Sequence, residues 1–161
     1  MIHVEFDDRE ILAALNNLAQ SSSNIRPALQ AIGENLVTST KERFTSQTDP
    51  DGGRWDKLSD ARIAEKVAHH GSNLILTDHG TLGDSINYQV QDSVTLNVGV
   101  PYQSETGSNM EYAAMMQFGG TKAEFPWLWG DIPARPFLGF SQEDKAGILD
   151  IIAQYLSSSI G

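Results

Sequence analysis

The stretch INYQVQDSVTLNVGV, from Ile86 to Val100, decides the class of fold. In each half, apolar residues alternate with polar ones at a period of two, and Gln91-Asp92 separates the halves. Such a pattern predicts an antiparallel β-hairpin that buries one face and leaves the other face polar. A second alternating run, from Ile2 to Phe6, predicts a short strand near the start of the sequence.

Helical spacing of apolar residues governs the sequence on both sides of the hairpin. The stretch from Ile25 to Phe44 carries the strongest helical signal, with Pro27 in its first turn and Gly33 near its middle. This order of elements predicts an α+β fold, a mostly antiparallel sheet with a central β-hairpin and helices packed on one face. Further helices are predicted between Asp7 and Leu18, after Ser59 with Ile63 and Val67 facing inward, at Glu111–Phe118, and after Ser141, where Asp144 completes a capping box.

Length and charge narrow the class of protein. The chain has 161 residues without an evident linker, so a single domain over residues 1–161 is expected. A formal net charge of -10 disfavours binding to nucleic-acid phosphates and to anionic membranes. The absence of cysteine excludes disulfides, thiolate metal sites and a cysteine nucleophile. Because no apolar run approaches the ~20 residues of a membrane span and the start is acidic, the protein should stay where it is made.

Patterns that indicate bond-making chemistry are lacking. The sequence has no Gly-x-Ser-x-Gly elbow, no Walker-type loop and no Gly-x-Gly-x-x-Gly fingerprint. A metal-dependent hydrolase that uses His69, His70, Asp78 and His79 is an alternative, but their spacing matches no recognised zinc pattern. We therefore predict no catalytic residue, no metal and no cofactor, and expect that the protein is not an enzyme.

An aromatic cluster, FPWLWG from Phe125 to Gly130, lies in a stretch without a regular period. Trp127, Leu128 and Trp129 are either core plugs or anchors for a protein partner, since tryptophan dominates interface hot spots. Trp55 presents the same choice, and we favour a core position for it over the end of the long second helix.

Four further segments stand in order along the chain: Phe44 with DPDGGRWDKL (Asp49–Leu58), ILTDHGTLGDSI (Ile75–Ile86), YAAMMQFG (Tyr112–Gly119) and IPARPFLG (Ile132–Gly139). Together they resemble the phage virion morphogenesis family, which includes tail-completion proteins of Mu-like and related contractile-tailed phages. Their order and spacing cover most of the chain, from Phe44 to the C-terminal helix. One position departs from the family pattern, because relatives often have histidine where Met116 stands.

The resemblance implies a structural assembly protein of a tailed phage or prophage that completes the tail or the head-tail junction, as a subunit of a homo-oligomeric ring. Its partners would be other tail, neck or head proteins, met in the host bacterial cytoplasm before it becomes a virion component. The motif positions with an expected structural role are Trp55, Gly80, Leu82, Tyr112, Gly119, Pro133, Pro136, Phe137 and Leu138. The residues expected at a protein interface are Gln117, Phe118, Phe125, Trp127, Leu128, Trp129 and Arg135.

The last of these segments, Ile132–Gly139, leaves the role of Arg135 open. The prolines around Arg135 predict an extended backbone, a strand that docks on the sheet through Phe137 and Leu138. The Arg135 guanidinium either binds a carboxylate or the carbonyls at a helix C-terminus inside the subunit, or makes a contact across a subunit boundary. The candidates for ring contacts are Pro101–Asn109, a polar stretch predicted to be a mobile loop, and Thr121–Gly130.

The net acidity also suggests an alternative function, an acidic binding or inhibitor module, although the carboxylates are scattered along the sequence.

Overall fold

The computed structural model describes residues 8–77, 80–92, 95–100 and 108–160. It confirms an α+β fold with helices and a two-stranded antiparallel sheet, the β-hairpin. The predicted strand Ile2–Phe6 lies outside the described residues, as does the predicted loop Pro101–Asn109 except for its last two positions. The elements in chain order are α1 (Arg9–Ser21), α2 (Arg26–Ser46), α3 (Asp60–His70), α4 (Thr81–Ser85), β1 (Asn87–Val90), β2 (Leu96–Gly99), α5 (Ser108–Phe118) and α6 (Gln142–Ile160).

The hairpin packs directly against the long helix α2. Its register pairs Tyr88 with Val98 and Val90 with Leu96. Gly33 lies at the crossing of the helix and the strands, where a β-carbon would stand 2.5 Å from Cδ2 of the Tyr88 ring. Glycine lowers helix propensity by about 1 kcal/mol relative to alanine, but here it allows a close approach between helix and strand.

Helices α1, α2 and α6 enclose one hydrophobic core together with the hairpin. Their inward side chains are buried together with Val90, among them Leu18, Leu29, Ile32, Ile148 and Ile152. Lys145 of α6 joins the start of α1 to this layer, since its Nζ lies 3.0 Å from Asp8 and 2.9 Å from Glu10. Hydrogen bonds with Glu10 and, to a smaller extent, with Asp8 raise the pKa of Lys145.

Helix α3 shows where the sequence-based prediction was wrong. Val67 is 54% exposed instead of facing inward, and Ile63 is only half-buried. Lys66 is buried instead: it is 2% exposed and donates from Nζ to the carbonyl of Thr77 at 3.1 Å. A lysine stem can cover apolar surface while its ammonium group reaches a polar partner, so the apolar spacing alone misplaced the inward face.

The helix ends agree with the predicted signals in most places. Ser59 caps α3 through its side chain, and Gly71 ends it in the left-handed conformation. Ser141 and Asp144 form the predicted capping box at the start of α6. Asp8 caps α1, because its carboxylate accepts from the backbone amides of Glu10 and Ile11. The sequence did not predict α4, whose five residues carry too little periodicity.

Replacing Gly33 with alanine should lower the free energy of unfolding by about 1–3 kcal/mol, because the added carbon overlaps the Tyr88 ring. Urea unfolding followed by circular dichroism measures the change. Gly147→Ala on α6 is the matched control, since its β-carbon would meet only the side chain of exposed Asn35, at 3.2 Å. The control should keep or raise stability through helix propensity, and equal losses in both variants would contradict the packing argument.

Candidate protein-binding site

The segment Ile132–Gly139, called here the proline segment, lies beside the C-terminal end of α5. Gly120 and Ile132 exchange two backbone hydrogen bonds of 2.9 and 2.8 Å, and the Arg135 amide donates to the Met116 carbonyl at 2.7 Å. Gly119 has φ +69°, and a β-carbon there would stand 2.7 Å from the backbone nitrogen of Ala134. The segment is therefore not the strand that the sequence predicts, because its backbone-to-backbone bonds go to α5 and the glycine pair. Phe137 and Leu138 are nevertheless buried in one cluster with Ile86 and Val100, at the ends of the hairpin.

Gln117 fixes the backbone of the proline segment with its side-chain amide. Its Oε1 accepts from the amides of Phe137 and Leu138, both at 3.0 Å. Its Nε2 donates to the Leu138 carbonyl at 3.1 Å. These three bonds satisfy backbone groups that have no strand partner, which is the requirement for burying irregular backbone.

Arg135 bonds to backbone carbonyls of the turn that follows α2. Its Nε donates to the Asp56 carbonyl at 2.8 Å, and one terminal nitrogen donates to the Lys57 carbonyl at 3.3 Å. The side chain is buried, and this burial lowers the pKa of Arg135, while the charges of Asp56 and Tyr112 act in the opposite direction. Of the two roles that the sequence left open, the structure shows the contact within the subunit.

Arg43 of α2 holds the other end of the proline segment and the start of α6. One terminal nitrogen donates to the carbonyls of Phe137 and Gly139, at 2.9 and 3.1 Å. The other donates to Oδ2 of the buried Asp144 carboxylate. This oxygen also accepts from the Ser141 amide at 2.8 Å. Sequence reasoning missed Arg43, although its place on the apolar stripe of α2 was a usable signal.

Three aromatic rings complete the centre of this region. The ring of Phe44 lies 5.5 Å from that of Trp55 and 5.5 Å from that of Phe137, measured between centroids. The Trp55 indole donates to the Pro136 carbonyl at 2.8 Å, and Leu82 packs in the same buried cluster. The four sequence segments thus meet around one core, centred on Phe44, Trp55, Leu82 and Phe137. We call this core the junction, a part of this subunit that is distinct from the head-tail junction of a phage.

The aromatic loop, Thr121–Gly130, projects from this junction. Trp127 is 74% exposed and Trp129 is 102% exposed, whereas Phe125 and Leu128 are half-buried. The Phe125 and Trp127 rings contact each other edge to face at 5.3 Å. Phe118, which is 58% exposed at the end of α5, adds to the apolar surface beside the loop.

Internal hydrogen bonds shape the aromatic loop. The Phe125 amide donates to the Thr121 carbonyl at 2.9 Å, and the Leu128 amide donates to the Phe125 carbonyl at 3.0 Å. The Lys122 amide donates to the Asp131 carboxylate at 2.8 Å. The exposed indoles are consequently carried by successive hydrogen-bonded turns.

The metal hypothesis concerns residues that are only partly described. His69 is exposed on α3, whereas the His70 side chain and residues 78 and 79 lie outside the description. Within the described ranges, no three histidine, aspartate or glutamate residues are grouped so that they could hold a metal ion. Nor is any described helix both long and apolar enough to cross a membrane.

The fold and the junction define a small α+β protein that uses the polar residues of its sequence motifs to hold irregular backbone in place. The chain belongs to the phage virion morphogenesis family, whose model matches residues 6–157. Members of this family serve phage assembly, and that is the general role of this chain.

Two relatives cover nearly the whole chain. Protein G of Escherichia phage Mu, a capsid assembly protein by its name, is 34% identical over 163 residues, covering 99% of this chain and 96% of that protein. The Mu-like prophage FluMu G protein 2 of Haemophilus influenzae is 30% identical over 158 residues, covering 96% of each. No solved structure matches the chain.

Replacing Arg43 with methionine should lower the free energy of unfolding by about 3–5 kcal/mol, because it leaves the Asp144 carboxylate buried without its cation. Denaturant unfolding provides the measurement. Arg62→Met is the matched control, since Arg62 pairs with Glu65 at the surface and should cost less than about 1 kcal/mol. A similar small loss in both variants would show that the buried pair is not central to stability.

Replacing Gln117 with methionine should cost about 2–4 kcal/mol, because the buried amides of Phe137 and Leu138 lose their acceptor. Thermal unfolding of the purified chain reports the loss. The exposed Gln154 of α6 offers the same substitution as a control and should show little change. If hydrogen exchange at the amides of Phe137 and Leu138 were no faster in the Gln117 variant, Gln117 would not be what fixes this backbone.

Proposed function

We propose that this chain completes the phage tail or the head-tail junction as a ring subunit that acts through protein contacts and not through catalysis. Membership of the virion morphogenesis family supports the assembly role. The name of the phage Mu relative connects the same family with capsid assembly. The site of action that we propose is the aromatic loop with Phe118.

The exposed indoles of Trp127 and Trp129 carry the proposal. Aromatic side chains of this kind bury about 150–250 Å² each when they enter a core or an interface, and here most of that surface faces solvent. The loop is internally bonded, so docking it would cost little additional ordering of its backbone. A braced loop with exposed tryptophans is the arrangement expected of an anchor for another protein.

The remaining candidate residues support this surface from beneath. Phe125 and Leu128 are half-buried and join the loop to the protein. Gln117 and Arg135 are buried and bind backbone groups, so we assign them to positioning the loop and not to direct contact in the isolated subunit. Pro101–Asn109 remains a candidate for a second ring contact, mostly outside the described residues.

The contacts made by the polar side chains around the proline segment favour a structural role over an enzymatic one. The side chains of Arg43, Gln117 and Arg135 all donate to backbone carbonyls, and Trp55 does the same. We propose that assembly takes place in the host bacterial cytoplasm and that the subunit then remains in the virion. Ring formation would require head-to-tail contacts between different surfaces of adjacent copies.

Replacing Trp127 and Trp129 together with alanine should abolish the formation of joined particles when the variant complements a prophage that lacks this gene. With about 2 kcal/mol for each anchor, binding to the partner falls roughly a thousandfold. Electron microscopy should show full heads beside free tails.

A variant with Val67→Ala and Leu74→Ala is the control, because it removes exposed apolar side chains from other parts of the surface. It should restore infectious particles. Normal particle yield from the folded double tryptophan variant would rule out the aromatic loop as an anchor, and normal yield from the gene deletion would rule out the joining role itself.

A further inference from the structure

A cleft of about 660 Å³ separates the end of α5 from the base of the aromatic loop. Its apolar walls are formed by Phe118, Phe125, Ile132 and Pro133, and its floor includes the Gly119–Gly120 backbone. Glycine is needed at position 120 because a β-carbon there would stand 2.6 Å from the Met115 sulfur and 2.9 Å from the Phe125 ring, so the Phe125 wall packs directly on the backbone. The cleft is large enough for an apolar side chain with its flanking backbone.

The charged groups of this cleft share one sign. Among the described residues that line it, the ionisable ones are Glu124 and Asp131, both acidic. The Glu124 carboxylate accepts from the Thr121 hydroxyl at 2.8 Å, and the Asp131 carboxylate accepts from the Lys122 amide at 2.8 Å. These bonds fix both carboxylates in the cleft before any partner arrives.

Nearby basic side chains do not neutralise the carboxylates of Glu124 and Asp131 from within the cleft. Lys122 belongs to the loop, but its side chain is not part of the lining. The Arg135 guanidinium donates to carbonyls of Asp56 and Lys57. The cleft therefore presents an apolar interior with two carboxylates on its walls, a combination that complements an apolar side chain beside basic ones.

We propose that the cleft binds a basic segment of a different virion protein, in which an apolar side chain is flanked by lysine or arginine. This inference rests on the proposed function and names the chemistry of the partner. A second copy of the chain is a poorer occupant, because each copy has 21 acidic against 11 basic residues and a net charge of -10. At this cleft, charge of one sign disfavours an identical acidic copy and steers a basic partner toward the two carboxylates.

Random peptides displayed on yeast provide the probe, selected against the purified full chain and then measured as synthetic peptides. We expect the selected peptides to contain leucine or an aromatic residue next to lysine or arginine. Glu124→Gln with Asp131→Asn should weaken their binding about tenfold, and added salt should weaken binding to the unaltered chain. The matched control is Glu42→Gln with Asp150→Asn, which removes the same charge from exposed positions on α2 and α6.

Three results would overturn the inference. Selection of neutral or acidic peptides, or of none, would exclude a basic partner. Equal weakening by both double variants would show attraction to the bulk charge and not to the cleft. Self-association that is lost with Phe118→Ser would assign the cleft to a second copy. None of these results affects the particle assay of the tryptophan variant, so the two proposals fail separately.

Discussion

The buried guanidinium of Arg43 is the interaction on which the rest of the structure depends. It binds two carbonyls of the proline segment and the carboxylate that caps α6, so three parts of the chain meet at one side chain. Burying a charged pair is costly unless hydrogen bonds satisfy the remaining polar atoms. Here Arg43 also donates to two carbonyls, and the Asp144 carboxylate also accepts from the Ser141 amide. Among the described residues, no buried side-chain nitrogen or oxygen lacks a hydrogen-bond partner.

The same constraint explains the other polar residues of the junction. A proline-rich stretch donates few backbone bonds and is excluded from the middle of a regular sheet, yet Phe137 and Leu138 are buried in the core. Gln117 satisfies backbone groups of these two residues, and Trp55 satisfies the carbonyl of Pro136 just before them. Arg135 ties the stretch to the turn after α2. The aromatic loop leaves this fixed base through the Gly120–Ile132 bridge, and so its tryptophans are held at a defined place.

Much of the fold could be predicted from periodicity and capping residues. The hairpin, α2 and the capping box of α6 have strong local signals, and they appear where the sequence placed them. The inward face of α3 could not be predicted, because Lys66 is buried through a carbonyl that is eleven residues away in sequence. For the same reason the role of Arg43 was missed, since its partners lie 94 to 101 residues further along the chain. The exposure of Trp127 and Trp129 depends on how the loop leaves the junction, and no local pattern contains that information.

The three tryptophans occupy two contrasting environments, and this has a spectroscopic consequence. Trp55 is enclosed by Phe44 and hydrogen-bonded, whereas Trp127 and Trp129 face water. Indole emission shifts to shorter wavelength when the ring leaves water, so docking of the loop and melting of the core move the fluorescence spectrum in opposite directions. The protein thus carries its own optical probe, one that separates association from denaturation without any added label.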